Sequence, residues 1–421
     1  MKLGIITYYW PPAGGPGVQR WLKLSKYLAR EGVEVFVVTV NEDEATYPLR
    51  DEGLAADVHP TISVIRTRTN EKFGAYQKVT GKKQVPFSGF SGEDAKVSLI
   101  QKVARFVRGN FFVPDARKGW NTYAYKAAAQ IIAEHEVRHW ITTSPPHSTQ
   151  LLGMKLKKNF GIHWTADFRD PWTDIYYYRK FYPTALTRAY ERYLEKKVFE
   201  ECDVLISVSQ ALSNLYVEKG ARPASKVYTL SNGFDAEDFQ HTGASRPEVF
   251  TVTYAGTMTS QYAIEGFIAA LNRLDFPVRF RIIGKWDEVS KQRIERAGDH
   301  VSLEFVDYVP KKELNRMMID NHMSFLILPE ASYADGITPG KMFDYFGVNN
   351  PILCIGPTQG DAARILRSVK AGDVFHSEDV LGMEAFIRSC QSNEAGLETK
   401  LVYQYERNAQ AKEVIRLIFG K

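Results

Sequence analysis

Hydrophobic and polar residues alternate along most of the chain in two kinds of segment. Short apolar runs rich in β-branched residues, such as 3–9 (LGIITYY) and 33–40 (VEVFVVTV), are typical of strands buried on both faces. Between them, residues 18–32 (VQRWLKLSKYLAREG) place apolar side chains at helical spacing. Further strand-like runs, each followed by a helix-like stretch, lie at 138–144, 163–168 and 203–209. This order predicts a doubly wound α/β domain with a parallel sheet.

The same pattern then starts again. Five more strand-like runs follow, with helical segments between them, at 249–257, 278–285, 301–309, 323–330 and 350–356. We therefore predict two successive Rossmann-like domains, the first over 1–235 and the second over 249–397. The polar stretch 235–248 (DAEDFQHTGASRPE) is the predicted join.

Residues 70–120 interrupt the alternation and are predicted to be an insertion in the first domain. The stretch from 96 places Val97, Ile100, Val103, Ala104 and Val107 at helical spacing, with Lys102, Arg105 and Arg108 between them. A basic amphipathic helix of this kind can lie on a membrane surface. The other interpretation, which the sequence favours, is a core-facing helix whose basic side is solvated.

The composition indicates a globular protein and argues against a membrane-spanning or a disulfide-stabilised one. With 44% hydrophobic and 24% charged residues among 421, the chain has the balance of a globular protein. No apolar run approaches about 18 residues, so no membrane-spanning helix is expected. The three cysteines form no CxxC, which argues against a zinc site or a disulfide framework and favours the cytoplasm. Residues 1–230 carry 33 basic and 23 acidic residues, so an anionic ligand, nucleic acid or membrane, or merely scattered solvated charge, would explain the basic first half.

The first strand is followed by a glycine-rich loop, WPPAGGPGVQR. Gly14, Gly15 and Gly17 allow the backbone to approach a ligand closely at the start of a helix. Arg20 stands where the third glycine of GxGxxG would be, so the loop is a poor dinucleotide fingerprint. It remains a reasonable ligand loop at the carboxyl end of a strand.

Two polar clusters follow later strands of the first domain. The segment ADFRDPWTD places Asp167, Arg169, Asp170 and Asp174 directly after an apolar strand, as a buried Asp–Arg pair or a polar ligand site would require. In TTSPPHS, His147 either caps the helix that starts near Ser148 or reaches a ligand crevice.

The segment ASYADGITPGKMFDYFG at 331–347 is the most informative. Gly336, Thr338, Pro339 and Gly340 precede a helix whose first N–H groups can bind an anion. Lys341 lies in the first turn, where the helix dipole disfavours a cation, so its position suits a bound diphosphate. Asp344 follows one turn later, with a carboxylate suited to vicinal hydroxyls. The chain contains no DxD triplet, so no bridging metal is expected.

Together, these motifs resemble the retaining GT-B glycosyltransferases of family 4 over essentially the whole chain. In the first half, SPPHSTQLLG, ADFRDPW, SVSQALSNLY and LSNGFD are similar to the bacterial branch that builds surface polysaccharides, including lipopolysaccharide. In the second half, YAGT, RIIGK, FVDYVP and PGKMFDYFG follow in the expected order. The resemblance implies two Rossmann-like domains that face a cleft, and a C-terminal helix over 398–421 that crosses back to the first domain.

The resemblance also implies roles for individual residues. Thr338, Pro339 and Gly340 would present backbone to the donor diphosphate, Lys341 would neutralise it, and Asp344 would bind the ribose. Other expected donor contacts are Gly15, Gly17, Gly256, Thr257, Gly284, Lys285, Tyr308, Val309 and Gly336. The expected catalytic residues are Asp167, Arg169, Asp170 and Lys341, and His147 is expected on the acceptor side. Arg169 stands where many relatives carry a His.

Two further departures from the family pattern concern the donor site. The Glu-x7-Glu pair would need Glu at 336 and 344, where this chain has Gly336 and Asp344, with Asp335 the nearest substitute. The usual Arg and Lys after the first strand of the second domain are replaced within GTMTSQY, which leaves more of the diphosphate charge to Lys341.

We therefore expect a metal-independent, cofactor-free enzyme that transfers a sugar from a UDP- or GDP-linked donor to a hydroxyl of a glycan or lipid-linked acceptor. Retention of anomeric configuration, surface polysaccharide synthesis and a peripheral place on the anionic inner membrane face are expected, without a nucleic-acid partner. Three alternatives remain open: a GT-B nucleotide-sugar epimerase, a nicotinamide-dependent oxidoreductase, and a scaffold with this fold but no turnover.

Overall fold

The computed structural model describes residues 1–70, 99–175, 177–240, 247–330, 334–392 and 399–420. The chain divides into two compact units, one made of Met1–Ser231 and Gln410–Lys421 and the other of Asn232–Ala409. The bounds differ from the predicted ones, because residues from 232 onwards, including the predicted join, belong to the second unit. The chain returns to the first unit at Gln410.

The first unit contains one parallel sheet. Its described strands are β1 (Lys2–Ile6), β2 (Glu34–Val40), β3 (Ser63–Thr67), β4 (His139–Ser144), β5 (His163–Phe168), β6 (Val204–Ser207) and β7 (Val227–Thr229). The strand order is β3–β2–β1–β4–β5–β6–β7. Its described helices before residue 231 are α1 (Pro16–Arg30), α2 (Leu99–Phe111), α3 (Asn121–His135), α4 (Ser148–Phe160), α5 (Ala185–Glu201) and α6 (Gln210–Glu218).

The second unit contains a second parallel sheet. Its described strands are β8 (Phe250–Met258), β9 (Val278–Trp286), β10 (Val301–Asp307), β11 (Met323–Ile327), β12 (Ile352–Ile355) and β13 (Gly372–Phe375), in the order β10–β9–β8–β11–β12–β13. Its described helices are α7 (Glu265–Asn272), α8 (Glu288–Ile294), α9 (Lys311–Ile319), α10 (Gly340–Val348), α11 (Asp361–Ser368), α12 (Val380–Gln391) and α13 (Thr399–Val402). Two doubly wound parallel sheets therefore confirm the predicted fold class.

The sheet of the first unit is covered on both faces. One face packs against α3 to α6 around Trp140 and Trp164, and the other packs against α1 around Trp21. The last helix, α14 (Arg407–Phe419), adds Ala411, Val414, Ile415 and Ile418 to this second core layer. Burial on both faces explains why the central strands are continuous apolar runs.

The helix predicted within the insertion forms as α2, but its apolar residues do not all face a core. Val103 and Val107 are 55% and 40% exposed, so the expectation of an ordinary core-facing helix is wrong for them. Val97 and the segment GKKQVPFSGFSGED lie outside the described residues, as does the side chain of Ile100. Among the described helices, none is long and apolar enough to cross a membrane.

The two strand orders define where polar side chains can collect. In each sheet the first three strands are added towards one edge and the later strands towards the other edge. The switch point between the two series lies between β1 and β4 in the first unit and between β8 and β11 in the second. Open parallel sheets bind ligands at the carboxyl ends of the strands that flank such a point.

Close packing in the first unit can be tested at Gly4 in β1. A Cβ at this position would lie 2.4 Å from ring atoms of Trp140 on the neighbouring strand, so either the ring or the strand would have to move. We expect Gly4→Ala to lower the free energy of unfolding by about 1–3 kcal/mol.

Urea unfolding followed by tryptophan fluorescence measures this change in the correct unit, because six of the seven tryptophans precede residue 231. Ser63→Ala on the exposed side of edge strand β3 is the control and should shift stability by less than about 0.5 kcal/mol. Equal effects of the two substitutions would contradict the packing.

Candidate functional site

In the first unit, the glycine-rich loop after β1 leads into α1. Gly15 has φ +97°, a conformation that favours glycine, and it precedes Pro16 at the first position of the helix. At Gly17 a Cβ would lie 2.1 Å from Nη1 of Arg169. The glycine therefore allows a guanidinium to lie directly against the start of α1.

Arg169 is held by backbone oxygens. Its Nε donates to the carbonyl of Ser144 (3.1 Å) and its Nη2 to the carbonyl of Pro145 (3.0 Å), both at the end of β4. Among the described residues it forms no ion pair. Burial lowers the pKa of Arg169, and the nearby Asp170 and Asp167 oppose the shift. The structure thus places a half-buried cation at the switch point of the first unit, where an anion can bind.

Asp167 lies in the same segment but has a different environment. Its Oδ1 accepts from Nη2 and Nε of Arg20 at 2.9 and 3.2 Å, and its Oδ2 accepts from Trp21 Nε1 (2.8 Å) and Thr143 Oγ1 (2.7 Å). The side chains of Asp167 and Arg20 are completely buried. Both oxygens of Asp167 are thus occupied by structural partners, and its predicted catalytic role stays a prediction. The predicted buried Asp–Arg pair exists, but its arginine is Arg20.

Asp170 has fewer hydrogen-bond partners than Asp167. It is half-buried and accepts no hydrogen bond from the residues that the structure describes. Burial raises its pKa and the charge of Arg169 opposes that shift. Of the acidic residues predicted in this segment, Asp170 is thus the one whose carboxylate stays available next to Arg169. Asp174 instead pairs with Lys219.

His147 occupies the N-cap position of α4, but its side chain forms no capping hydrogen bond. The first N–H group of that helix, from Ser148, is bound by Asp115 Oδ2 at 2.7 Å. The imidazole of His147 stacks on Trp172 with ring centroids 5.3 Å apart and an interplanar angle of 7°. Burial, with a smaller contribution from the charge of Arg169, lowers its pKa to about 3. His147 is therefore neutral at physiological pH and its buried Nδ1 has no hydrogen-bond partner.

In the second unit, helix α10 begins next to the switch point. Pro339 is its N-cap and no side chain caps the helix, so its first N–H groups remain available to an anion. Thr338, directly before the cap, is 8% exposed, and its buried Oγ1 has no partner in the structure. A buried hydroxyl without a partner costs free energy, so its presence here favours a bound ligand.

Lys341 is positioned over the end of β8. Its Nζ donates to Tyr254 Oη at 3.0 Å and lies 4.3 Å from the centre of that ring. A Cβ at Gly256 would lie 2.9 Å from the same Nζ. The Tyr254 hydroxyl in turn donates to the carbonyl of Thr257 at 2.8 Å. No carboxylate pairs with Lys341 in the described part of the chain, so its charge is available to an anion.

At the ends of β8 and β9 the two backbones lie close together. Gly256 and Gly284 pair across β8 and β9 and have φ of +141° and +130°. A Cβ at Gly284 would lie 2.3 Å from the Gly256 carbonyl oxygen. Lys285 follows on an exposed part of β9. Gly256, Gly284 and Lys285 thus lie together at the ends of β8 and β9, and their contact with a nucleotide stays a prediction.

The Asp344 carboxylate already has a partner in the fold. One of its carboxylate oxygens pairs with Lys311 Nζ at 2.9 Å, and both side chains are partly exposed. Such a pair contributes little stability in water, so ribose hydroxyls can compete for the carboxylate. Lys311 was not identified from the sequence, because it lies on α9 and comes next to α10 only in the fold.

The remaining predicted donor residues lie at loops of the second unit. Tyr308 is 63% exposed and, with Val309, follows the end of β10. Gly336 ends a short 3-10 turn that also contains the exposed Asp335. The structure records no hydrogen bond to the Asp335 side chain from any described residue. Whether it replaces the missing glutamate therefore stays a prediction.

Several residues of the site were missed by sequence reasoning. Arg20, Trp21 and Asp115 fix the loops of the first unit, and Tyr254 and Lys311 contact Lys341 and Asp344. Arg20 gave the clearest signal, since an arginine replaced the third glycine of the loop motif. Among the described residues, no three His, Cys, Asp or Glu side chains are grouped as a metal site.

The two parallel sheets with their interleaved helices define the GT-B fold, and comparison with known proteins agrees. Residues 85–238, less than half of the chain, match the family described as Glycosyltransferase Family 4. Among solved structures, Alr3699/HepE of Anabaena in complex with UDP matches with TM-score 0.61 and 12% identity, covering 100% of both chains.

Two other structures show the same fold. The lipopolysaccharide outer core galactosyltransferase WaaB matches with TM-score 0.57 and 11% identity, covering 100% of this chain and 99% of that one. A putative UDP-N-acetylglucosamine 2-epimerase from Listeria monocytogenes matches with TM-score 0.56 and 9% identity, covering 99% and 95%. A comparison with curated protein sequences found no match.

The contrast between Asp167 and an exposed carboxylate provides a stability test. Asp167→Ala leaves Arg20 buried without its partner, so we expect a loss of about 3–5 kcal/mol in the free energy of unfolding. The double change Arg20→Met with Asp167→Leu should recover much of the loss, because no charge then stays buried. Glu200→Ala, which removes an exposed ion pair with Lys197, is the control and should cost less than about 1 kcal/mol. A cost for Asp167→Ala no larger than that of the control would refute the assignment.

The buried imidazole of His147 predicts a pH dependence. Below about pH 6.5 the unfolded chain binds a proton at this residue, whereas the folded chain does not until about pH 3. Stability should therefore fall as the pH falls from 7 to 5, by about 1–2 kcal/mol from this residue.

Urea unfolding of the wild type and of His147→Phe at pH 7 and pH 5 isolates this contribution. Phenylalanine keeps the stacking on Trp172 and cannot titrate, so the variant should lose less stability on acidification. The same loss in both proteins would show that His147 is not held neutral.

Proposed function

We propose that the protein is a glycosyltransferase that moves a sugar from a nucleotide diphosphate sugar to a hydroxyl acceptor. The observation that carries the proposal is the anion site of the second unit. There, the uncapped N-terminus of α10 lies at a switch point, together with the hydroxyl of Thr338 and the ammonium of Lys341. Within the described residues the Thr338 hydroxyl has no partner and the Lys341 ammonium has no carboxylate partner. These groups suit a diphosphate. The match of 85–238 to a glycosyltransferase family supports the same reaction.

Departure of the nucleoside diphosphate places negative charge on its outer phosphate. Lys341 and the first N–H groups of α10 would stabilise that charge, because they are already oriented before the bond breaks. The hydrogen bond from Lys341 to Tyr254 holds the ammonium without cancelling its charge. We propose that this arrangement acts without a metal ion or other cofactor.

We propose retention of anomeric configuration, because the chain resembles the retaining enzymes of family 4. In such a reaction the acceptor hydroxyl passes its proton to the departing phosphate, so the protein needs no strong nucleophile. Arg169 would then help to bind an anionic part of one of the substrates, and Asp170 would accept a hydrogen bond from a sugar hydroxyl.

We propose UDP as the first nucleotide to test, with GDP next. HepE, a protein of the same fold, was solved in complex with UDP and with UDP-glucose. For the acceptor we propose a surface glycan or a lipid-linked glycan in the cytoplasm. WaaB, which has the same fold, is named as a lipopolysaccharide galactosyltransferase.

A nucleotide-sugar epimerase is the second candidate. Asp170, with its raised pKa beside Arg169, is a carboxylate that could move a proton, and one structure of this fold is titled a putative epimerase. An epimerase would convert a UDP-sugar to its epimer without an acceptor. NMR spectra of the donor incubated with protein alone distinguish the two, since a transferase leaves the sugar configuration unchanged.

Nucleotide binding tests the proposed donor site directly. UDP at about 100 times its dissociation constant should stabilise the protein by about 2.7 kcal/mol, which a thermal shift detects. Lys341→Ala should weaken UDP binding about 10- to 100-fold, because it removes a charge-assisted hydrogen bond. Tyr254→Phe keeps the ring but loses the hydroxyl, so we expect a smaller weakening of about 2- to 10-fold.

Lys312→Ala, an exposed lysine on α9, is the matched control and should bind UDP as the wild type does. Addition of EDTA should leave the wild-type shift unchanged. A response to NAD or NADP instead of UDP or GDP would overturn the proposal. Nucleotide binding without sugar transfer to any acceptor would favour the scaffold alternative.

A further inference from the structure

The first unit exposes apolar side chains on two neighbouring helices. On α5, Leu186, Tyr190 and Tyr193 are 82%, 54% and 55% exposed and lie on one side of the helix at i, i+4 and i+7. On α2, Phe106 and Phe111 are 40% and 69% exposed. We call the exposed sides of α2 and α5, with residues 177–184 that precede α5, the apolar–basic surface.

The charged residues of α5 are distributed unusually between its buried and its exposed side. Its two central glutamates, Glu191 and Glu195, are 3% and 1% exposed, and they accept hydrogen bonds from Tyr178 and Thr173 inside the unit. Up to Lys197 the exposed side therefore keeps the leucine, the tyrosines and the basic residues, and the exposed acidic residues Glu200 and Glu201 lie only at the C-terminal end of the helix. An ordinary surface helix has the opposite arrangement, with apolar residues inside and acidic residues in water.

The charge of this surface is predominantly positive. Residues 99–111 and 177–201 contain nine lysines and arginines and four glutamates. Glu191 and Glu195 are buried, whereas Glu200 and Glu201 are exposed at the C-terminal end of α5, where Glu200 pairs with Lys196 and Lys197. The basic residues are Lys102, Arg105, Arg108, Arg179, Lys180, Arg188, Arg192, Lys196 and Lys197. Basic side chains thus alternate with exposed apolar ones over both helices.

The two helices are fixed to each other. Asn110 on α2 accepts from Thr184 N (2.8 Å) and Thr187 Oγ1 (2.7 Å) at the start of α5, and it donates to the carbonyl of Tyr182 (3.2 Å). At Gly109 a Cβ would lie 2.4 Å from the carbonyl oxygen of Phe181, so α2 approaches this backbone closely. The apolar–basic surface is therefore one connected part of the unit.

We propose that the apolar–basic surface docks on an anionic lipid bilayer. Leu186, Tyr190 and Tyr193 would enter the headgroup region, where tyrosine can bury its ring and keep its hydroxyl in water. Lysine and arginine side chains around them would reach lipid phosphates. A second copy of the chain fits less well, because two such surfaces carry the same charge and would repel each other. The proposal is independent of the donor site.

Flotation of the full chain with vesicles tests this docking. We expect binding to vesicles of 30% phosphatidylglycerol in phosphatidylcholine at low salt, and at least 10-fold weaker binding to pure phosphatidylcholine or at about 0.5 M salt, where surface charges are screened. Two double variants separate the contributions: Tyr190→Ser with Tyr193→Ser, and Arg192→Glu with Lys196→Glu. Each should weaken binding to the anionic vesicles at least 10-fold.

Matched controls lie on the second unit. Leu381→Ser, which removes a 65% exposed leucine, and Arg296→Glu with Lys312→Glu should leave vesicle binding unchanged. All variants should keep the UDP thermal shift of the wild type, which shows that they are folded and separates this result from that of the donor site. Equal binding of variants and wild type would overturn the proposal. So would sedimentation that shows a dimer of the wild type lost in Tyr190→Ser with Tyr193→Ser.

Discussion

An ionised carboxylate inside a protein costs several kcal/mol unless other groups replace the water it has lost, and Asp167 satisfies this condition completely. Arg20 and Trp21 on α1 and Thr143 on β4 supply the donors. These contacts fix α1 against the sheet, and with α1 they fix the glycine loop that precedes it. Arg20 also donates to the carbonyl of Ser231, the last residue before the chain enters the second unit. One buried pair thereby determines where several loops of the first unit lie.

Three cations near the strand ends, Arg20, Arg169 and Lys341, differ in their partners. The charge of Arg20 is cancelled by a carboxylate, so Arg20 serves the structure. Arg169 and Lys341 are held by carbonyl and hydroxyl oxygens, which orient a cation without neutralising it. Both lie at switch points of parallel sheets, where strand ends and helix starts contribute further N–H groups. Arg169 in the first unit and Lys341 in the second are thus oriented positive charges at positions where each fold can bind an anion.

Most of the fold could be predicted because central strands and amphipathic helices carry their signal locally. The strands β3, β7 and β13 were missed, since edge strands of three to five residues are half exposed and lack a continuous apolar run. Partners far apart in the chain were also missed: Arg20 and Asp167 are 147 residues apart, and Lys311 comes next to Asp344 only when α9 and α10 pack. The orientation of α2 and α5 could not be predicted either, because the period of a helix does not reveal which side meets a core.

The placement of α14 affects the order in which the molecule can be completed during synthesis. Ala411, Val414 and Ile418 belong to the core of the first unit, although the second unit lies between them and the rest of that core in the chain. A ribosome that adds about 5–20 residues per second needs roughly 10–35 s to pass through Asn232–Ala409. During that interval the nascent first unit exposes the apolar groove that α14 later fills, and a chaperone has time to bind it. The first unit can therefore be completed only after the second unit has been translated.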